Sequence, residues 1–576
     1  MMDQHFIPRA EYPTPQFARD NWLTLNGEWE FAEDFSVSGV ERKLYHADAE
    51  GFDLKINVPF CRESKLSGLG HTDFCNSVWY RKRVTLPEGF SGEGKRVILH
   101  IGASDYVTTV YVNGASVARH VGGFTPFECD ITPQLTEGEN VITVHALDDT
   151  RSGVQPGGKQ SLRYGSYGCF YTRTTGIWQS VWLESVPASY LKSVRYFSDV
   201  DQSILTVEAK AEAPDGTTIK AEAYWEGRKV GEASAKTAFG CAMLHVSLSE
   251  LHLWEVGKGG LYDIVFTMGD DVVKSYFGMR SLGLDDSALV INGKKVFQRT
   301  VLDQGFYPDG VWTAPTEEAL VKDITMSMDC GFNGARLHQK VFEPLFLYHA
   351  DRLGYIVWDE LGNWGLDISR PNAWKAYTAE WSEVVMRDRN HPAIIGWCPF
   401  NETQQNQDND IIVVLADLTR RLDPTRPVID TSGWVHVKGA TDIMDWHDYD
   451  QNPETFRQRY VDVANGVKGV SHSRYSPMEI VPRFISEYGG IKWDVNSGLG
   501  NAWGYGNAPT TGEEFISRFT GLTEALLENA FITGLCYTQL TDVEQEVNGL
   551  YTFDRKPKFD PAIFHAVLTK KAAIEE

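Results

Sequence analysis

Near residue 285 the spacing of apolar residues changes, and this switch limits the fold more than any other feature of the chain. Upstream, short alternating runs are cut by Gly, Pro, Asp and Asn: SVWYRKRVTL (77–86), KRVILHIGA (95–103), YVTTVYVNG (106–114) and NVITVHALD (140–148). A two-residue period marks a strand with one face buried. Downstream, apolar runs alternate with helical segments. The expected strands are FQRTVL (297–302), FNGARLH (332–338), YIVWDE (355–360), IIGWCPFNE (394–402), RPVID (426–430), DIMDWHDY (442–449), RFISEY (483–488) and ITGLCYTQ (532–539). Between them lie segments such as 316–330, where Leu320, Ile324 and Met328 repeat every four residues and Gly331 stops the run. FEPLFLYHADRLG, NAWKAYTAEWSEVVMRDRN, DIIVVLADLTRRLD and EEFISRFTGLTEALLENA behave likewise. Eight strands alternating with helices over about 290 residues have the count and size of a (β/α)8 TIM barrel. A doubly wound open sheet is the competing arrangement, but no GxGxxG or other phosphate loop accompanies it.

The strand-rich region is long enough for two β-sandwiches. A second group of strands begins near Tyr190 with VRYFSDV and SILTVEAKAEA and ends near DIVFTMGDDVVKSYFGMRSL. Its length, about 95 residues, suits an immunoglobulin-like β-sandwich. The expected division is therefore 1–188, 189–283 and 284–576.

Charge narrows the partners. With 54 Lys and Arg against 78 Asp and Glu, the formal net charge is −24. That sign repels phosphate backbones and anionic lipid, so nucleic acid and membrane surfaces are poor partners. No run approaches the roughly 18 apolar residues of a membrane span. The stretch MMDQHFIPRAEYPTPQF has no apolar leader core, and the eight cysteines stand singly with no CxxC pair. The chain reads as a soluble cytoplasmic protein with reduced thiols, compatible with a homo-oligomer. HExxH, GxSxG and GxxxxGK[ST] are absent. Asn401-Glu402-Thr403 matches a glycosylation sequon by accident, and the acidic run TDVEQE (541–546) reads as a solvated loop.

In a TIM barrel, catalysis sits at the C-terminal ends of the strands. Polar residues closing apolar strands are thus the candidates: Arg336 and His338, Asp359 and Glu360, Asn401 and Glu402, His447, Asp448 and Tyr449, Glu487 and Tyr488. Glu402 and Glu487 end strands on opposite sides of the mouth. Facing carboxylates suit a retaining glycosidase, in which one attacks the anomeric carbon and the other protonates the leaving oxygen. On spacing alone Glu360 competes equally. Trp358 and Trp397 read as core.

NHPAIIGWCPFNE (390–402) resembles the acid/base signature of glycoside hydrolase family 2, and FISEYGG (484–490) resembles that family's nucleophile segment. GFNGARLHQ followed by FLYHADRLGYIVWDE is similar to its second- and third-strand signature. NWLTLNGEWEF, VWYRKRV, VYVNG and TGIWQSVWLE are similar to its sugar-binding jelly-roll domain, which makes residues 1–188 an expected jelly roll. The resemblance implies Glu402 as acid/base and Glu487 as nucleophile. It also implies that Asn401 bonds the sugar 2-hydroxyl, Tyr449 donates to the nucleophile and Arg336 keeps Glu487 ionised. His338 and His447 would line the sugar site, Asp303 would reach sugar hydroxyls or else cap its strand or a turn, and Tyr537 would stand where many members place a tryptophan under the sugar.

Departures from the family pattern bear on the substrate. Family β-glucuronidases carry Asn-any-Lys before a Gly-Ile/Leu-aromatic turn. Here Glu546-Val547-Asn548 precedes Gly549, with no lysine for a uronate and an acid that would repel it. DELGNWGLD offers Asn363 and Trp364 instead of the acidic-His motif that holds magnesium in large β-galactosidases, so no metal and no cofactor are expected. The implied function is an exo-acting retaining glycoside hydrolase on an oligosaccharide or glycoside, with a β-galactoside favoured. An α-L-arabinofuranoside, β-galactofuranoside, β-glucuronide or β-mannoside are the alternatives, and a carbohydrate-binding protein with an inactive barrel is the alternative outside enzymes. A segment around Tyr164–Thr175 would close one wall of the pocket.

Overall fold

In a computed structural model the alternating runs of the first half pair into antiparallel sheets. The structure describes residues 7–404, 407–464, 482–495 and 500–576; the first six residues of the N-terminal stretch weighed as a leader lie outside it. One sheet holds Trp22–Thr24, Val181–Pro187, Lys95–Ile101 and Phe127–Asp130. The facing sheet holds Leu54–Val58, Gly27–Glu33, Ser77–Thr85, Glu139–Leu147, Val107–Val112 and Ala115–Val121. Alternate residues of each strand point between the sheets, so Trp29, Phe31, Tyr80, Leu99, Val110, Val112 and Val144 form one core. The hairpin after Val112 turns on Asn113 and Gly114 at φ 51° and 84°, the left-handed pair that a tight two-residue hairpin needs.

The second sandwich packs three strands (Tyr190–Asp199, Ile204–Glu212, Cys241–Ser247) on four (Arg228–Lys236, Thr218–Trp225, Tyr262–Met268, Asp271–Phe277). Seven strands is the immunoglobulin-like count. Arg19 joins the two sandwiches: its guanidinium donates to Glu184 and Asp271, each over 2.8 Å.

The third body is a parallel barrel. Its first four strands are Gln298–Asp303, Gly334–Leu337, Ile356–Glu360 and Ile394–Cys398, and its sixth to eighth are Met444–Asp448, Arg483–Gly489 and Gly534–Thr538. The expected fifth strand, RPVID, does not form a continuous ladder. Single parallel bridges, Trp397 to Val428 and Asn401 to Ser432, fill that position instead. Pro427 brings no N–H, and the Asp430 carboxylate turns to His436 and to the N–H of Val437, each at 2.7 Å. Among the described residues seven strands therefore form the sheet, with the fifth position bridged.

The five expected helices appear as Glu317–Asp329, Pro344–Leu353, Pro371–Asp388, Asn409–Leu422 and Gly512–Leu527. Pro453–Ala464 and Pro561–Leu568 were not anticipated. Both open on proline after a capping side chain, Asn452 or Asp560, which was the available signal. Trp358 and Trp397 are fully buried core residues as expected, their indole N–H groups held by Gln298 and Asp423. All eight cysteines are free. No described helix is long and apolar enough to cross a membrane.

Candidate active site

The polar ends of the barrel strands converge on Arg336. From the end of the second strand its guanidinium donates to Glu360 Oε2 over 2.5 Å, to Glu487 Oε1 over 2.9 Å and to Asn401 Oδ1 over 2.7 Å. Buried this deeply, an arginine persists as a cation only among acceptors, and Glu360 and Glu487 hold it well above the ordinary range. Glu360 also accepts from the backbone of Gln339 over 3.0 Å and lies 3.0 Å from His338 Nδ1. It is fully buried and held by these partners. Burial, with Lys159 and Arg336 nearby, pushes His338 well below the ordinary histidine range, so the ring is neutral.

Asn401 and Glu402 follow the fourth strand. The backbone of Asn401 is clamped by Asn363 over 2.8 and 3.1 Å, and Glu402 sits at φ 48° with its N–H on the Ser432 carbonyl at 2.8 Å. A non-glycine residue in the left-handed region needs such fixing from its surroundings. The clamp leaves Asn401 Nδ2 buried and without a hydrogen-bond partner among the described residues, a donor free for substrate. Glu402 Oε1 is 2.6 Å from His447 Nδ1, and the other ring nitrogen of His447 is 3.4 Å from Glu487 Oε1. Burial works against a charge on His447, but Glu487 and Glu402 outweigh it and raise the ring above its ordinary value.

Glu487, near the end of the seventh strand, meets the sixth-strand side through Tyr449, whose phenol donates to Oε2. Tyr505 stacks on the Tyr449 ring with centroids 3.4 Å apart. Burial alone would raise the Glu487 carboxyl; His447, His338, Arg336 and Tyr449 reverse that and bring it down to about 2. Tyr449 is itself held far above 10 by burial and by Glu487, so it stays a donor.

Two residues expected at the sugar have other partners here. Asp303 accepts from the N–H of Gly305 over 2.9 Å, and its charged neighbours are Asp323, Arg555 and Lys340, not the paired glutamates. It caps the first strand; burial and Asp323 raise its carboxyl to about 6. Tyr537 points to the helix layer, edge-on to Phe519 at 5.0 Å and to Tyr488 at 5.6 Å. Successive residues of a strand face opposite ways, so it is the next residue, Thr538, that reaches the site, 3.1 Å from the Tyr449 hydroxyl. The acidic run 541–546 is not a solvated loop: Gln545 and Glu546 are buried, and Glu546 accepts from Tyr171 of the first sandwich.

Sequence reasoning missed what the first sandwich adds. Lys159 is buried with its ammonium 4.2 Å from the Trp364 ring centre, and Cys169 and Phe170 join Trp364, Trp434 and Glu402 around a cleft of about 540 Å3. Cys169 and Phe170 of the Tyr164–Thr175 segment thus form part of a wall beside Glu402. A second cavity of about 400 Å3, between the sandwiches and the barrel near Phe17, Trp182 and His391, shares no lining residue with the cleft beside Glu402.

Glu402, His447 and Glu487 place ligating atoms within 4.8 Å of one another. Two carboxylates and an imidazole can hold a divalent ion. Here the Arg336 guanidinium already sits on Glu487 and the ring of His447 lies against Glu402, so a metal would compete with both.

A family model described as "Glycosyl hydrolases family 2, sugar binding domain" matches residues 23–187, and one described as "Glycosyl hydrolases family 2, TIM barrel domain" matches residues 282–567. A beta-glucuronidase of Paenibacillus borealis is 25% identical over 440 residues, covering 70% of this chain and 72% of the relative. A beta-galactosidase of Thermoanaerobacter pseudethanolicus is 27% identical over 403 residues, covering 65% and 51%. The crystal structure of Ruminococcus gnavus beta-glucuronidase superposes with TM-score 0.79 at 19% identity, over 98% of this chain and 99% of that one, and shares the fold.

Proposed function

The chain belongs to glycoside hydrolase family 2 and is an O-glycosyl hydrolase, and we propose that it removes single terminal sugars with retention of anomeric configuration, Glu487 acting as nucleophile and Glu402 as acid/base. The carrying observation is the approach of the two carboxylates, with ligating oxygens within 4.8 Å. Retaining enzymes hold their carboxyl groups about 5–5.5 Å apart, whereas inverting ones leave about 6.5–9.5 Å for a water.

Each neighbour then has a task. Arg336, His447 and Tyr449 keep Glu487 ionised and aimed at the anomeric carbon. Attack forms the glycosyl–enzyme ester while Glu402 gives its proton to the leaving oxygen. In the second step Glu402 takes a proton from water, and Glu487 leaves as carboxylate. Asn401 Nδ2 supplies a donor for the sugar 2-hydroxyl, an interaction that strengthens as positive charge develops at the ring. Cys169 and Phe170 from the first sandwich line the cleft beside Glu402, which supports exo action.

For the sugar we favour a neutral β-glycoside, with the β-galactoside first. Several relatives are named beta-glucuronidases, yet Glu546 and Asn548 stand where the lysine motif for a uronate would be. Eight free thiols support a reducing, cytoplasmic setting. A panel of nitrophenyl β-galactoside, β-glucuronide, β-mannoside, β-glucoside, α-arabinofuranoside and β-galactofuranoside tests the reading. One strong neutral responder is expected. No turnover on any of them would count for the carbohydrate-binding alternative.

A further inference from the structure

The sandwich residue Lys159 carries a charge that no described group pairs with directly. It is 7% exposed, and its recorded contact is the face of Trp364. Burial alone would lower it; Cys169, Glu546, Glu487 and Glu402 outweigh this and hold it above the ordinary lysine range. Its three N–H donors have no acceptor among the described residues, which is costly for a side chain this buried unless a ligand supplies one.

Glu546 is its opposite. A closed ring of hydrogen bonds fixes its carboxylate. Gln304 donates to Tyr171 Oη over 2.9 Å and to Gln539 Oε1 over 2.6 Å. Gln539 donates to Asn548 over 2.8 Å, Asn548 donates to Glu546 Oε1 over 3.1 Å, and Tyr171 donates to Glu546 Oε2. Each carboxylate oxygen keeps a lone pair spare, and only an O–H or N–H can use it.

We propose that Lys159 and Glu546 are the specificity-determining pair of the pocket, Lys159 donating to and Glu546 accepting from hydroxyl groups at the end of the terminal sugar remote from the anomeric carbon. The inference rests on the catalytic reading of Glu402 and Glu487, which occupies the anomeric end. A hydroxyl both donates and accepts, so adjacent hydroxyls satisfy both side chains at once. A uronate carboxylate brings no donor for Glu546 and adds a negative charge to a site already holding Glu402, Glu487 and Glu546. The pair therefore selects a neutral sugar, and it does so across two domains.

The test compares wild type, K159M, K159R and E546Q on the nitrophenyl glycoside that wild type hydrolyses fastest, on its 3-, 4- and 6-deoxy analogues, and on nitrophenyl β-D-glucuronide. The fastest substrate should be neutral. K159M and E546Q should each lower its kcat/KM by about 100-fold, the scale of a lost hydrogen bond to a charged group. That loss should shrink to a few-fold on the analogue lacking the hydroxyl being read, and K159R should recover part of it. An equal loss on every deoxy analogue for both variants would reduce the pair to a structural role. A glucuronide as fastest substrate, with the K159M loss confined to it, would overturn the inference and make Lys159 a carboxylate ligand. Mass-spectrometric detection of a 2-deoxy-2-fluoroglycosyl adduct on Glu487 of wild type separates the cases: with the adduct present, these failures touch only Lys159 and Glu546, and with no adduct and no wild-type turnover the catalytic reading itself fails.

Discussion

Ligating oxygens of Glu402 and Glu487 lie within 4.8 Å of each other, although the residues come from the fourth and seventh strands of the barrel. Arg336 and His447 occupy the space around them, Arg336 donating to Glu487 over 2.9 Å and His447 standing 2.6 Å from Glu402. Glu487 meets both Arg336 and His447, whereas Glu402 meets His447 alone and faces the cleft lined by Trp364 and Trp434. This asymmetry supports the proposal of different work for the two carboxylates.

Glu402→Ala should separate substrates by leaving group. Protonation of the departing oxygen by a positioned acid contributes about 100- to 10,000-fold. An alkyl glycoside should lose that much in kcat/KM, and a dinitrophenyl glycoside only a few-fold. Azide should speed the variant by replacing water in the second step, with a β-glycosyl azide as product. Equal losses for both leaving groups would remove Glu402 from the acid role.

Asn401→Ala should cost about 100-fold in kcat/KM, equivalent to about 3 kcal/mol of transition-state binding. A 2-deoxyglycoside, having no hydroxyl for Nδ2, should be hydrolysed equally by variant and wild type. A comparable loss on the 2-deoxy substrate would mean that Asn401 acts by holding Glu402 in place.

Tyr449→Phe should move the acid limb of activity. Glu487 is held at about 2, below its ordinary 4.5, and Tyr449 is one of the groups that lower it. A lowered carboxyl contributes stability that is present above 4.5 and is lost as the pH falls through about 2. With the phenol gone, Glu487 rises towards 4.5 and that contribution shrinks. On a dinitrophenyl substrate, wild-type kcat/KM should stay flat in acid until close to the pH where the protein unfolds. The midpoint of the variant's acid limb should lie at least about one unit higher. An unmoved limb would show that Tyr449 does not tune the nucleophile.

Gly396→Ala tests the barrel packing. A Cβ there would sit 2.1 Å from the Trp358 ring, in a fully buried position. Overpacking of this kind costs about 1–3 kcal/mol or more. Urea unfolding should show at least that loss, and an unchanged midpoint would contradict the packing described for the barrel interior.

The readable part of this molecule was local. Asn401, Glu402 and Glu487 close apolar strands, and a strand end fixes where a side chain goes without help from distant residues. Arg336, Tyr449 and both histidines gather in the same place for that reason. Tyr537 was misread by one position, because a single-residue step turns a strand side chain from the mouth to the helix layer, and Thr538 takes the inward place. Asp303 ends its strand as expected, but the Gly305 N–H beside it captures the carboxylate. The run 541–546 looked solvated because its composition is acidic. It is buried through Tyr171, 375 residues earlier in the chain, a separation that no local pattern reveals. Lys159 was overlooked for the same reason: the Trp364 ring it faces belongs to another domain.

The central claim is that Glu487 forms a covalent bond with the sugar. Incubation with the activated 2-deoxy-2-fluoro form of the best panel substrate, followed by peptide mapping, tests it directly. One glycosyl residue per chain on the peptide containing Glu487, with activity lost in step and regained as the ester turns over, is the predicted result. Label on Glu402 or Glu360, or product released with inverted configuration and no adduct, would contradict it.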